Sequence, residues 1–175
     1  RHALVEAALA AIAEYGPAAL SLRDLARRAG VSHAAPAHHF GDKAGLLSAV
    51  AADGFRRLAA ALREAYDASG GSFLEVGVAY VRFAVGHRAH FEVMFRPELY
   101  RRDDPEVAEA REAARSMLYP PAAAAAGPDA DRLHAAVAAW SLAHGLATLW
   151  LNGNLPPQLG DDPERVARQV AGYLF

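Results

Sequence analysis

Only three residues, at 30–32, separate two short helical segments near the start of this 175-residue chain. Ser21 precedes the first segment, and Asp24 follows three positions later, which is an Asp variant of the capping box. The segment 22–29 ends at Gly30, a residue suited to a left-handed C-cap. A connection this short permits little except two helices that cross at a steep angle, which is the spacing of a helix-turn-helix motif.

The second segment, VSHAAPAHHF at 31–40, contains a proline and three histidines. If Ser32 caps this helix, Pro36 occupies its fourth position, where the missing N–H forfeits a single hydrogen bond. The alternative is a helix that starts at Pro36, with proline in its favoured first position. Phe40 is predicted to be a core residue that wedges this short helix against the first helix of the chain.

Histidines at these spacings could bind a metal ion. However, His38 and His39 point about 100° apart on a helix, so they cannot easily share one ion. Histidines that face a binding partner explain the pattern more simply. We therefore predict no metal site and no cofactor.

The composition favours an all-α fold, because alanine, leucine and arginine dominate while β-branched residues are sparse. The absence of cysteine excludes disulfides, thiolate zinc sites and cysteine nucleophiles. No apolar run approaches the roughly 18 residues of a membrane span, and no signal peptide is recognisable. We expect a cytoplasmic protein with no membrane partner.

Apolar periodicity and helix-breaking residues predict about nine helices in total. The sequence SGGS at 69–72 ends a long connecting helix and marks the expected domain boundary. Two domains are predicted. The first, at 1–50, has three helices and leads into the connecting helix 43–67, and the second, at 68–175, is a larger helical bundle. A proline- and alanine-rich break is predicted at 120–129. The principal helices are predicted at 2–15, 22–29, 43–67, 73–86, 105–119, 131–151 and 163–175.

Charge is distributed unevenly along the chain. Residues 1–65 contain eight Arg or Lys against six Asp or Glu, and the remainder contains ten against fourteen. This asymmetry is a weak indication that the first part meets a polyanion.

The segment SLRDLARRAGVSHAAPAHHFGDKAGLLSAV, at 21–50, resembles the DNA-binding segment of the TetR family of bacterial transcriptional regulators. In addition, WSLAHG at 140–145 and HFEVMF at 90–95 are similar to a regulator subgroup whose ligand domain has a Trp followed four residues later by His-Gly. The resemblance implies a dimer on a near-palindromic operator, each subunit inserting the second helix of its motif into the major groove.

That resemblance implies contacts to double-stranded operator DNA from named positions. The residues expected to contact base edges are Arg23, His33, Ala34, Ala35 and His38. The residues expected to contact phosphates are Ser21, His39 and Lys43. Ser32 is also expected to contact the DNA. Arginine can pair with guanine, and alanine methyls can meet a thymine methyl. The segment departs from the family at Ala37, where a tyrosine usually contacts a phosphate.

In the second domain, Trp140 and His144 are one helical turn apart and could line a cavity for a small-molecule ligand. The other candidates are Tyr80, Phe83, Phe91, Met94, Met117 and Tyr119. For most of the aromatic residues, core packing is the simpler interpretation, because an alanine-rich bundle needs large side chains to fill its volume. The resemblance also implies a C2 homodimer through the last two helices.

The leading hypothesis is a repressor that a small-molecule ligand releases from its operator, and not an enzyme. One alternative is a metal-dependent helical-bundle enzyme, but the sequence has no Glu-x-x-His pair, nucleophile elbow or phosphate loop. The other alternative, a degenerate regulator that acts only as a protein-binding dimer, stays open because of Ala37.

Overall fold

The computed structural model describes residues 1–125 and 131–173, and every regular element within them is helical. This result confirms the predicted all-α class. None of these helices combines the length and apolar character that a membrane span requires. The α-helices are α1 (His2–Tyr15), α2 (Leu22–Arg28), α3 (Ala35–Phe40), α4 (Lys43–Ala68), α5 (Phe73–Gly86), α6 (Arg88–Met94), α7 (Pro105–Ala125), α8 (Arg132–Leu151) and α9 (Pro163–Ala171), with a 3-10 turn at Pro157–Leu159.

Two compact units divide the chain. The first unit comprises residues 1–56 and 87–111, and the second comprises 57–86 and the described part of 112–175. The long helices α4 and α7 each contribute residues to both units.

In the first unit, α2 packs against α1 and α3, and α1 also packs against α6. Gly30 has a φ of +64° and provides the left-handed residue predicted after α2. The amide of Val31 donates to the carbonyl of Ala26 at 3.0 Å across this turn, which satisfies one of the last carbonyls of α2. These contacts build the predicted helix-turn-helix.

The start of α3 differs from both predicted starts. The helix begins at Ala35, Pro36 is its second residue, and Ser32 accepts the amide of Ala35 through its backbone carbonyl at 3.0 Å. Because the first four amides of a helix have no partner within it, the missing N–H of Pro36 costs nothing there. The side chain of Ser32 therefore makes no capping hydrogen bond to α3.

The predicted capping box at the start of α2 is also wrong. Ser21 occupies the N-cap position with an extended backbone, but its side chain makes no capping hydrogen bond. Asp24 instead accepts from Arg27 and Arg28, so its carboxylate does not close the box.

In the second unit, α5 packs against α8 and α9. Their shared core contains Val78, Val81, Leu146, Val166 and Ala167. This burial agrees with the nearly all-apolar sequence of α5. Two carboxylates that the sequence prediction overlooked begin the last helices: Asp131 and Asp162 each accept from two backbone amides at 3.0 Å.

Two predicted helix ends are wrong. Helix α7 does not stop at 119 but continues through Pro120 and Pro121 to Ala125. The φ of proline is itself a helical value, and the alanines that follow have the highest helix propensity. Each proline therefore removes one backbone hydrogen bond from the helix without ending it. The rest of the predicted break, 126–129, lies outside the described residues. Helix α9 ends at Ala171, where Gly172 is the C-cap.

Candidate functional sites

The turn before α3 and α3 itself, residues 33–40, form a short two-sided segment that we call the reading segment. Pro36 and Phe40 are buried, and the exposed fraction of Phe40 is 7%. The exposed residues are His33, Ala34, Ala37, His38 and His39, and Ala35 is half-buried. Phe40 is therefore a core residue, as predicted, and most of the residues predicted to meet DNA face solvent.

The adjacent histidines of the reading segment pack edge to face. The ring centroids of His38 and His39 are 5.3 Å apart, with the ring planes at 64°. Partial desolvation lowers the pKa of His39. In residues 1–125 and 131–173, no three His, Asp or Glu side chains are grouped so that they could hold a metal ion.

Most of the arginines in α2 form ion pairs with acidic side chains. Arg27 and Arg28 both donate to Asp24, whose pKa is lowered by these two hydrogen bonds. Arg28 also pairs with Glu14, with its Nη1 2.9 Å from Glu14 Oε2. Arg23 is exposed and makes no hydrogen bond or ion pair within the described part of the chain. Of the three arginines in α2, Arg23 is therefore the one whose donors are uncommitted.

Lys43, at the start of α4, is tied to the loop between α1 and α2. Its Nζ donates to the carbonyl oxygen of Ala18 at 2.7 Å. A lysine ammonium has three donors, so this bond leaves two for a further acceptor. Ser21 and Ser32, the other polar residues predicted to contact DNA, are both exposed.

In the second unit, three of the predicted ligand residues form a hydrogen-bonded chain. Trp140 Nε1 donates to the hydroxyl of Tyr80 at 3.3 Å, and that hydroxyl lies 2.9 Å from His144 Nδ1. The spacing of Trp140 and His144 brings their rings to a centroid distance of 5.6 Å. The sequence predicted this pair from one helical turn, whereas Tyr80 comes from α5.

Burial fixes the protonation of this chain. It raises the pKa of Tyr80, against a smaller lowering by the hydrogen bond from Trp140, and it lowers the pKa of His144. Tyr80 therefore keeps its proton and His144 is neutral at pH 7, and the short contact between the hydroxyl and Nδ1 is a hydrogen bond between two uncharged groups. We call this chain the Tyr–Trp–His triad.

The remaining predicted ligand residues do not share one place. Phe83 is buried in α5, Met117 is half-buried in α7, and Tyr119 packs with Phe73 against Ala136 and Ala139. The two others, Phe91 and Met94, are buried in α6 and belong to the first unit. Whether any of these eight residues binds a ligand stays a prediction.

The second unit also has an apolar groove between α5, α8 and α9 that the sequence did not indicate. Among the eight predicted ligand residues, only Trp140 lines it, and Leu118 of α7 contributes to its wall. Its cavity volume is about 40 Å³, enough for a few water molecules but far below the roughly 300 Å³ at which ligand pockets begin. Apart from Phe73 and Trp140, its lining is small and aliphatic, so it resembles core sequence and gives no separate signal.

Together, the packing of α2 against α3 across a short turn, the exposed reading segment and the helical second unit define a helix-turn-helix protein with a second helical region. Comparison with known proteins then places the chain more closely. Residues 4–50 match the family described as bacterial regulatory proteins, tetR family, and residues 73–173 match the tetracyclin repressor-like C-terminal domain. The chain belongs to the TetR family of bacterial transcriptional regulators.

Solved structures agree with this assignment. A protein with unknown function from Rhodococcus sp. RHA1 is 35% identical, with a TM-score of 0.82, covering 98% of this chain and 91% of that one. A bacterial regulatory protein in the tetR family from Rhodococcus RHA1 is 24% identical (TM-score 0.73, coverage 97% and 92%). The TetR family transcriptional regulator PfmR from Thermus thermophilus is also 24% identical (TM-score 0.68, coverage 95% and 93%). A search of curated proteins finds no match.

Proposed function

We propose that this regulator is a cytoplasmic homodimeric repressor that binds operator DNA through the reading segment and is released by a small-molecule ligand. The observation that supports DNA binding most directly is the two-sidedness of that segment. Pro36 and Phe40 anchor it in the first unit, while His33, Ala34 and His38 remain exposed. We retain residues 1–50 as the DNA-binding domain and 68–175 as the ligand and dimer domain.

Each predicted DNA contact has a physical rationale. The uncommitted guanidinium of Arg23 can pair with guanine O6 and N7, and the imidazoles of His33 and His38 can donate to base acceptors. The methyl groups of Ala34 and Ala35 suit a thymine methyl. The predicted phosphate contacts are those of Ser21, His39 and Lys43, and Ser32 is a further predicted DNA contact of unassigned type.

The missing tyrosine at position 37 removes one phosphate anchor. Ala37 is exposed, so a larger side chain would have solvent in front of it. Lys43 retains two ammonium donors beyond its bond to Ala18, and it lies at the start of α4, where the helix dipole also favours an anion. We propose that Lys43 provides the main phosphate anchor beside the reading segment.

We propose α8 as the main dimer interface, with α9 beside it. Apolar side chains are exposed along one stripe of α8, at Leu133 (61%), Val137 (40%) and Leu149 (43%). The stripe passes through Ser141 and Gly145, and a Cβ added at Gly145 would meet no atom within 4 Å. Small residues flanked by exposed apolar ones allow two such helices to approach closely. To read two successive major grooves, such a twofold dimer must present its two reading segments about 34–36 Å apart.

We propose the Tyr–Trp–His triad as the polar element of the ligand site. Polar groups aligned among apolar side chains typically orient a small molecule in such pockets. The ligand must bind the conformation with poor DNA affinity more tightly, since equal affinity for both conformations would shift nothing. The long helix α4, which contributes to both units, is the expected coupling element.

Operator binding can be tested by selecting duplexes from a random library and measuring affinity by fluorescence anisotropy. Arg23→Ala should weaken binding by roughly 5- to 150-fold and relax specificity at one base position. Lys43→Ala should weaken all sequences alike and reduce the salt slope by about one. Arg63→Ala is the matched control, because Arg63 is exposed and lies in the second unit. Equal effects of Arg23→Ala and Arg63→Ala would contradict the proposal.

The ligand and dimer proposals need separate measurements. Native mass spectrometry should show a dimer, and Val137→Glu with Leu133→Glu should yield monomers that remain helical.

A library of small molecules can be screened for release of the selected operator. A releasing compound should lose potency against Tyr80→Phe while operator affinity without the compound stays unchanged. A compound that releases both proteins equally would exclude the triad from the ligand site.

A further inference from the structure

The corner between the reading segment and α4 is unusually tight. Gly41 has a φ of +77°, and Asp42 caps α4 by accepting the amide of Gly45 on Oδ1 at 2.8 Å. A Cβ added at Gly45 would overlap the carbonyl oxygen of Phe40, the last residue of α3. The end of the reading segment and the first turn of α4 are therefore packed backbone against backbone.

Arg101, from the connection between α6 and α7, lies over this corner. Its Nη2 donates to Asp42 Oδ2 at 3.0 Å, so the two oxygens of Asp42 serve different partners. Its backbone amide donates to Ser48 Oγ at 3.1 Å, and that hydroxyl donates to the carbonyl of Ala44 at 3.0 Å. The guanidinium occupies the space left by two glycines: a Cβ would be 3.7 Å from it at Gly41 and 3.0 Å from it at Gly45.

The connection that presents Arg101 is itself held in place. The buried hydroxyl of Tyr100 donates to the carbonyl of Met94 at 2.9 Å. Asp104 donates its amide to the carbonyl of Arg101 at 3.2 Å and caps α7 by accepting the amide of Glu106 at 3.0 Å. By sequence, residue 101 lies within the region that matches the C-terminal family domain, yet it folds in the first unit.

We propose that Arg101 is a positioning residue for DNA binding, which holds the corner after the reading segment through Asp42 and neutralises the carboxylate next to Lys43. This inference rests on the proposed function, since it assumes that the reading segment meets DNA. The pKa of Asp42 is lowered by the amide of Gly45 and further by Arg101, so the carboxylate is charged at neutral pH. Without Arg101, that charge would repel the phosphates that Lys43 is proposed to bind.

The test compares three variants with a neighbouring control. Arg101→Met removes the charge and keeps the aliphatic stem, Arg101→Lys keeps a charge, and Asp42→Asn keeps a capping oxygen while losing the ion pair. Arg102→Met is the control, because Arg102 is also exposed and makes no hydrogen bond or ion pair within residues 1–125 and 131–173. Circular dichroism establishes that each variant is folded, and Arg101→Gln replaces Arg101→Met if the latter is not.

Two readouts separate this inference from the proposed function. In the free protein, Arg101→Met should make amide hydrogen exchange at 41–47 roughly two- to fivefold faster and leave α1 unchanged, as loss of one ion pair predicts. In the dimer, Arg101→Met should lower operator affinity roughly 4- to 25-fold. Arg101→Lys should recover affinity, and the double variant Arg101→Met with Asp42→Asn should bind no more weakly than Arg101→Met alone.

Three results would overturn the inference. The first is that the amides of 41–47 exchange equally fast in Arg101→Met and Arg102→Met, and the second is that these two variants bind operator equally well. Either result would show that Arg101 has no positioning role, while DNA binding by the wild type would still support the proposed function. If the wild type binds no selected duplex, both proposals fail together.

Discussion

Gly45 provides the sharpest test of the packing at the corner between α3 and α4. An added Cβ there would overlap the carbonyl oxygen of Phe40 and would lie 3.0 Å from Arg101 Nη1. The arginine tip can move, but the carbonyl belongs to a tight backbone turn. Gly45→Ala therefore requires the reading segment to shift.

The magnitude follows from two opposing effects. Alanine is favoured over glycine within a helix by about 1 kcal/mol, whereas overpacking a rigid site costs about 3 kcal/mol at the upper end of its usual range, so the net loss should be about 2 kcal/mol. The matched control is Gly77→Ala in α5, where an added Cβ meets nothing within 4 Å. There the same substitution should stabilise by about 0.5–1 kcal/mol.

Urea unfolding followed by circular dichroism provides the measurement. The two variants should move the unfolding midpoint in opposite directions, with the slope m unchanged if unfolding is two-state. Operator affinity should fall for Gly45→Ala alone. If Gly45→Ala is as stable as the wild type or more stable, the close approach of the two backbones is not real, and the argument for the corner fails with it.

Three further predictions concern titratable groups. Tyr80→Phe should destabilise the second unit by about 1–3 kcal/mol in thermal or urea unfolding, because it removes the two part-buried hydrogen bonds that the hydroxyl makes with Trp140 Nε1 and His144 Nδ1, each of which contributes about 0.5–1.5 kcal/mol; an unchanged midpoint would contradict this. Because burial lowers the pKa of His144, the folded protein binds fewer protons there than the unfolded chain. Its contribution to stability should therefore be fully present above about pH 6.5 and be lost as the pH falls further, and His144→Gln should flatten that part of the curve. The pKa of His39 is also lowered in the free protein, so contact with phosphate should drive proton uptake. Operator affinity at constant salt should rise from about pH 8 to 6, less so in His39→Gln, and a pH-independent affinity would remove His39 from the interface.

Local sequence rules predicted the helix-turn-helix because its determinants are local. Gly30 supplies the left-handed residue after α2, and the exposure of the three histidines and the burial of Phe40 in 33–40 follow from their polarity. The two predicted starts of α3, at 33 and at 36, differ from the observed start at Ala35 by two residues and by one, because Ser32 could bond through its side chain or its carbonyl and the sequence does not distinguish the two. The continuation of α7 through Pro120 was missed for a related reason: proline removes a donor without removing the helical φ.

Contacts between distant segments were not predictable in this way. Arg101 and Asp42 are 59 positions apart, and His90 Nε2 lies 2.9 Å from Asp53 Oδ2 across 37 positions. Nothing local in either sequence neighbourhood indicates these pairs. The same holds for Tyr80, which joins Trp140 and His144 from another helix, so the sequence could name the three residues as candidates but not the order of their hydrogen bonds.

The charge argument shows how folding can cancel a sequence trend. Residues 1–65 have two more basic than acidic side chains, but the first unit also includes 87–111, and with this segment it contains eleven of each sign. Net charge therefore cannot attract DNA to this unit, and the local arrangement of the charges must do so. Asp24 is held by Arg27 and Arg28, and Asp42 is held by Arg101. Among the residues proposed to contact DNA, Arg23 and Lys43 are the two whose side chains are cationic throughout the neutral pH range, so binding should depend on few phosphate contacts and show a correspondingly shallow salt slope.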